Sequence, residues 1–76
     1  MDVTKYDFEL TTHAVIRARQ RRITYNMIAA TLKGGKIIRH GKNRLKFIKK
    51  YKNFTLICLD EIRGTKIVIV TIEVKR

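Results

Sequence analysis

His13, Arg17 and Arg21 follow one another at intervals of four, a spacing that lines three side chains along one face of a helix. Histidine gives or takes a proton near neutrality, and arginine carries a fixed charge that can neutralise a phosphate or a phosphorane-like transition state. Together they suit RNA cleavage by the neighbouring 2′-hydroxyl, which needs a base, an acid and electrostatic help but no metal. His40 could supply the second proton-transfer group. The plainer reading stands beside this one: a histidine early in a helix often serves as a polar end residue, and arginine faces are commonly just solvated.

A wider set of cations could hold a nucleic acid. Arg19 and Arg22 surround the same helix as Arg17 and Arg21, so not all four can face one ligand. Arg39, Lys42, Arg44, Lys46, Lys49, Lys50 and Lys52 form a second cluster in which Phe47, Tyr51 and Phe54 are interspersed. Cations among aromatics can make a stacking surface for single strands. Phe47 and Phe54 read more naturally as core, whereas Tyr51, at a turn, is open to either use. Thr71 interrupts an apolar run and could approach a functional surface, although a β-branched residue in a strand needs no special reason. Cys58, between Ile57 and Leu59, reads as a buried inert thiol. His13, His40 and Cys58 lack metal-ligand spacing and the carboxylates are dispersed, so no metal is expected. No phosphate-loop, dinucleotide or serine-triad pattern calls for a cofactor.

The charge distribution narrows the partners. The net charge is +12, and between Leu10 and Asp60 there is no Asp or Glu. A stretch of one sign repels itself, and a polyanion relieves that repulsion by releasing counterions. Nucleic acid leads, RNA ahead of DNA. With 45% hydrophobic residues the chain is globular despite its charge. One cysteine cannot make an internal disulfide, the start lacks signal-peptide order, and no apolar run approaches the ~20 residues that span a bilayer. A cytoplasmic protein without membrane contact is expected.

The elements that must position these residues can be read in order. Thr11 and Thr12 are N-cap candidates for a helix over 13–21, with Ala14, Val15 and Ala18 on its apolar side. Thr24 caps a second helix with Tyr25, Ile28, Ala29 and Leu32 as its stripe, and Gly34-Gly35 offers a positive-φ stop. Only Arg22-Ile23 separates the two helices, which makes a tight hairpin. Four β-rich runs follow, at 37–39, 44–48, 54–59 and 66–74, and residues 5–10 add a short leading strand. In the last run Val68, Val70, Ile72 and Val74 alternate with Ile67, Ile69, Thr71 and Glu73, as in a central strand. The expectation is one α+β domain over 1–76: a two-helix hairpin on one face of an antiparallel meander sheet of about four strands.

The segment Thr12-His13-Ala14-x-x-Arg17-x-x-x-Arg21-x-Ile23, a helix ending Leu32-x-x-Gly35, and the distal Ile67-Val68-Ile69-Val70-Thr71 resemble a small prokaryotic domain-of-unknown-function family. That family carries a His-Ala and Arg signature and is grouped with RelE/ParE-type and BrnT-type toxins. The resemblance covers about 8–73. It implies a RelE-like fold and a superfamily containing ribosome-dependent and free ribonucleases. By position, His13, Arg17 and Arg21 match the signature, and Thr71 matches a threonine near the end of the last strand. Arg22 stands where a glycine is common in that family, and Val74-Lys75-Arg76 lacks the tyrosine that RelE-like ribonucleases often use near the C-terminus.

Two functions are therefore expected to compete. One is a toxin-like, metal-independent endoribonuclease with His13, Arg17 and Arg21 as its centre, His40 and Thr71 as accessories, and an acidic antitoxin or the ribosome as partners. The other is a non-catalytic nucleic-acid-binding accessory or regulatory module. A subunit whose basic face meets an acidic protein is a third.

Overall fold

A computed structural model describes residues 3–76. A short 3₁₀ turn, Val3–Lys5, leads into β1 (Asp7–Leu10), α1 (Thr12–Gln20), α2 (Tyr25–Gly34), β2 (Lys36–Arg39), β3 (Arg44–Lys50), β4 (Thr55–Arg63) and β5 (Lys66–Lys75). The strands form one sheet in the order β1-β5-β4-β3-β2. Strands β2 to β5 make the expected antiparallel meander. The sheet nevertheless has five strands and is mixed, because β1 pairs in parallel with β5, Asp7 opposite Lys66 through Leu10 opposite Ile69. A parallel neighbour requires a long crossover, and here the whole chain between β1 and β5 supplies it.

Thr11 is the N-cap of α1. Its hydroxyl accepts from the Ala14 amide at 3.1 Å and donates to the Val70 carbonyl at 2.9 Å, so one side chain starts the helix and fastens it to β5. The helix ends in a Schellman arrangement: the Ile23 amide reaches the Ala18 carbonyl at 2.8 Å and the Arg22 amide the Arg19 carbonyl at 3.2 Å. Arg22 consequently holds φ +58°, the left-handed conformation glycine adopts without penalty. In α2, Thr24 accepts from the Met27 amide and the Met27 sulfur accepts from the Thr24 amide.

The positive-φ stop expected at Gly34-Gly35 is not there. Gly35 has φ −78°, and its glycine is required by proximity instead. A Cβ at this position would stand 2.5 Å from the Thr31 carbonyl oxygen and 2.8 Å from that of Ile48. The end of α2 sits directly on β3.

Both helices cover one face of the sheet. Ala14, Ala18, Ile23, Ile28 and Leu32 meet Leu45, Phe47, Leu56, Cys58, Ile67, Ile69 and Ile72 in a single core. Phe47 is fully buried, and burying such a side chain stabilises the fold by about 1.5–3 kcal/mol. Val15, expected on the apolar side of α1, remains exposed, while Arg17 is half-buried.

A bulge corrects the expected faces of the last strand. Leu59 is opposite Thr71, but Asp60 is opposite Ile69, which leaves Val70 as the extra residue of β5. Ile67 and Ile69 face the helices before the bulge, Ile72 and Val74 after it. Thr71 therefore shares its face with Val68 and Glu73, not with Ile69.

Candidate functional site

The face of the sheet turned away from the helices has its own apolar centre, with Ile57 and Val68 buried although neither belongs to the core. Strand alternation puts Lys36, Ile38, Arg44, Lys46, Ile48 and Lys50 on this face from β2 and β3. Nothing acidic accompanies them on those two strands. The β4, β5 and β1 side is mixed instead: Arg63 pairs with Glu61 at 3.3 Å and Lys66 with Glu9 at 3.4 Å.

Beside the bulge this face sinks into a hollow of about 230 Å³, bounded by His40, Arg44, Leu59, Glu61, Val70 and Thr71, with Leu45 and Asp60 from the adjoining strand segments. An extra residue twists a strand locally and opens the ladder, and such irregularities recur beside functional sites. The hairpin between β2 and β3 brings His40 to the rim. Gly41 takes φ +77° in that turn, the His40 amide reaches the Arg44 carbonyl at 3.1 Å, and Arg39 Nη2 donates to the Lys42 carbonyl at 2.8 Å. His40, Arg44 and Thr71, distant in sequence, are thus brought together.

His13, Arg17 and Arg21 lie elsewhere. They run along α1, in the helical layer on the other side of the sheet, so His13 and His40 do not share a site. His13 and Arg21 are exposed on the helix surface, and Arg21 is its C-cap. Arg17 lies lower, with its Nε buried and no hydrogen-bond acceptor among the described residues. Arg19 projects on a different side of the helix, beside Val15, Ile23 and Tyr25, and Arg22 caps the turn.

The second basic cluster divides by parity. Arg44, Lys46 and Lys50 point away from the helices, Lys42 lies in the hairpin turn, and Lys49 turns the other way, 5.5 Å from the ring of Tyr51. Tyr51 is anchored: its ring stacks on Phe54 at 5.0 Å and its hydroxyl donates to the Met27 carbonyl at 3.1 Å. This phenol ties the β3–β4 turn to α2.

Two acidic residues bordering the hollow went unremarked as site candidates in the sequence. Glu61 lies on the open face directly opposite Arg44. Asp60 lies between the core residues Leu45 and Ile69, and neither of its carboxylate oxygens meets a hydrogen-bond donor among the described residues. Burial pushes its carboxyl up to about 8, so Asp60 is largely protonated at neutrality. Burial, then the neighbouring Asp60, pushes the Cys58 thiol up to about 12, which leaves it inert. A signal was available: the long acid-free stretch ends in Asp60-Glu61, two carboxylates inside a β-rich run.

Among the described residues no three His, Cys, Asp or Glu cluster as metal ligands, and no helix is long and apolar enough to cross a membrane. No curated protein and no solved structure matches the chain. Residues 10–74 match the family described as "Domain of unknown function (DUF4258)". That match takes in both helices, the meander and the hollow, and the chain belongs to the DUF4258 family.

Proposed function

We propose that this protein binds RNA and cleaves it without a metal ion, as a toxin-like endoribonuclease related to the RelE/ParE-type and BrnT-type toxins. The observation that carries the reading is the hollow on the open sheet face, where a histidine, an arginine and a threonine from separate strands and turns converge beside Lys46. A histidine next to a fixed cation is what transfer of a proton at a phosphate requires. The +12 charge supports a polyanionic substrate and an acidic partner protein that would neutralise it, with fast and salt-sensitive association. The relation to the toxins rests on the α1 signature and on the order of two helices before an antiparallel meander. On this reading the α1 flank, His13, Arg17 and Arg21, either holds the strand or is itself the centre.

The exposure of His13 and Arg21 favours a second reading, a non-catalytic RNA-binding module, since a helix surface binds phosphate without excluding water. Incubation of purified protein with end-labelled RNA in EDTA, free and as translating ribosomes, separates the two. Cleavage at defined positions is expected; retention of RNA with no cleavage in either form would leave the binding module.

A further inference from the structure

The hollow contains more than a place to bind. His40 continues the β2–β3 register opposite Arg44, and Arg44 is directly opposite Glu61 in the β3–β4 register. The three residues therefore form a row across three adjacent positions of one sheet face, spaced by the ~4.8 Å between strands. Arg44 is in the middle, with a histidine on one side and a carboxylate on the other, ~10 Å apart at the backbone. That is the layout an in-line displacement at phosphorus needs: the entering and leaving oxygens lie on opposite sides of the phosphorus, so base and acid must flank it, with the cation between them. Arg63 Nε lies 3.3 Å from one oxygen of Glu61, which leaves the other oxygen available.

Resting on the ribonuclease reading, we propose that this row is the cleavage centre: Arg44 holds the scissile phosphate, with Glu61 and His40 as the proton-transfer pair at either side. Glu61 takes the proton from the 2′-hydroxyl as O2′ attacks phosphorus. The O2′–P bond forms, the P–O5′ bond breaks, and the imidazolium of His40 gives its proton to the departing O5′. The products are a 2′,3′-cyclic phosphate and a 5′-hydroxyl, with nothing oxidised or reduced. Arg44 balances the charge on the non-bridging oxygens. Thr71, at the wall of the hollow, can bond a phosphate or sugar oxygen, and the aliphatic floor of Leu59 and Val70 leaves the base free of hydrogen-bond readout from below. The row also needs no C-terminal tyrosine.

The test uses the full chain with a labelled RNA in EDTA, and reads the chemistry of the ends as well as the rate. Wild type should give cyclic-phosphate and 5′-hydroxyl ends, and a single 2′-deoxy substitution at the cut should stop it. Glu61→Gln and His40→Gln should each lower the rate about 10²–10⁴-fold while RNA affinity stays within about threefold. A 5′-thio leaving group at the cut, which needs no protonation, should restore cleavage in His40→Gln and not in Glu61→Gln, a split that loss of a surface ion pair would not give. Both positions are on the surface, and Glu61→Asp, which keeps the charge but shortens the reach, gives an intermediate rate if folding is intact. Cleavage that survives in Glu61→Gln and His40→Gln but disappears in His13→Ala overturns the row and leaves the ribonuclease reading standing. Absence of cleavage by wild type on free RNA and on ribosomes overturns both.

Discussion

The two faces of the sheet are built from the same strands and do different work. On the helical face Leu45, Phe47, Cys58, Ile69 and Ile72 are sealed under α1 and α2, and among them the strands bury a carboxyl, that of Asp60. On the open face the apolar residues Ile57 and Val68 are shielded without a covering helix, and the cations stand around them. The comparison teaches how a very basic small domain folds at all. Alternation sends Lys46 and Arg44 one way and Phe47 and Leu45 the other, so mutual repulsion is left in water and does not enter the core.

The contrast can be broken most severely at the site. Arg44→Ala should lower RNA cleavage by about 10²-fold, whereas Arg21→Ala, removing a phosphate contact on α1, should weaken binding evenly and reduce the salt slope by about one. Rates and binding isotherms at several salt concentrations check both. Next come the two apolar layers. Phe47→Ala should cost about 3–5 kcal/mol, and Ile57→Val on the open face about 0.5–1.5 kcal/mol, measured by urea denaturation.

Asp60 sharpens the comparison through pH. Its folded value, about 8, lies above the 3.8 of a free carboxyl, so the folded chain keeps a proton that the unfolded chain releases. Stability from this group should be full below about pH 4 and fall as pH rises towards 8. Asp60→Asn, which cannot ionise, should flatten that slope, seen in melts across the range. The smallest effect is at the turn between the helices. Arg22→Gly relieves a left-handed residue and removes a charge, and should add about 0.5–1 kcal/mol in the same denaturation assay.

Much of this architecture could be read from local chemistry. Thr11 and Thr24 cap the helices they were expected to cap, and Gly41 and Gly64 mark the turns between strands. Arg22 holds a left-handed φ that glycine adopts without penalty. What stayed hidden depended on distant partners. Residues 67–70 are apolar at every position, so nothing in the run says which face meets the helices or that Val70 is the extra residue. The need for glycine at Gly35 comes from Thr31 one turn back and also from Ile48 on β3, a neighbour that only the folded sheet supplies. For the site, residue types were visible and their grouping was not. The α1 spacing is local and therefore legible, but the row of His40, Arg44 and Glu61 exists only once β2, β3 and β4 are in register.

The parallel pairing of β1 with β5 has a consequence for how the molecule comes into being. Thr11 bonds Val70 across 59 positions of sequence, so β5, late in the sheet's sequence, secures β1, the first strand. Helices and the β2–β3 hairpin form from nearby contacts, whereas β5 is inserted between β1 from the start of the sheet's sequence and β4 just before it. Closing so long a loop carries an entropic cost before any contact repays it, which slows folding. During translation α1 must wait, with Ala14 and Ala18 uncovered, until β5 has left the ribosome. Until then the row of His40, Arg44 and Glu61 has no bulge behind it, and the hollow is complete only once β5 is in place.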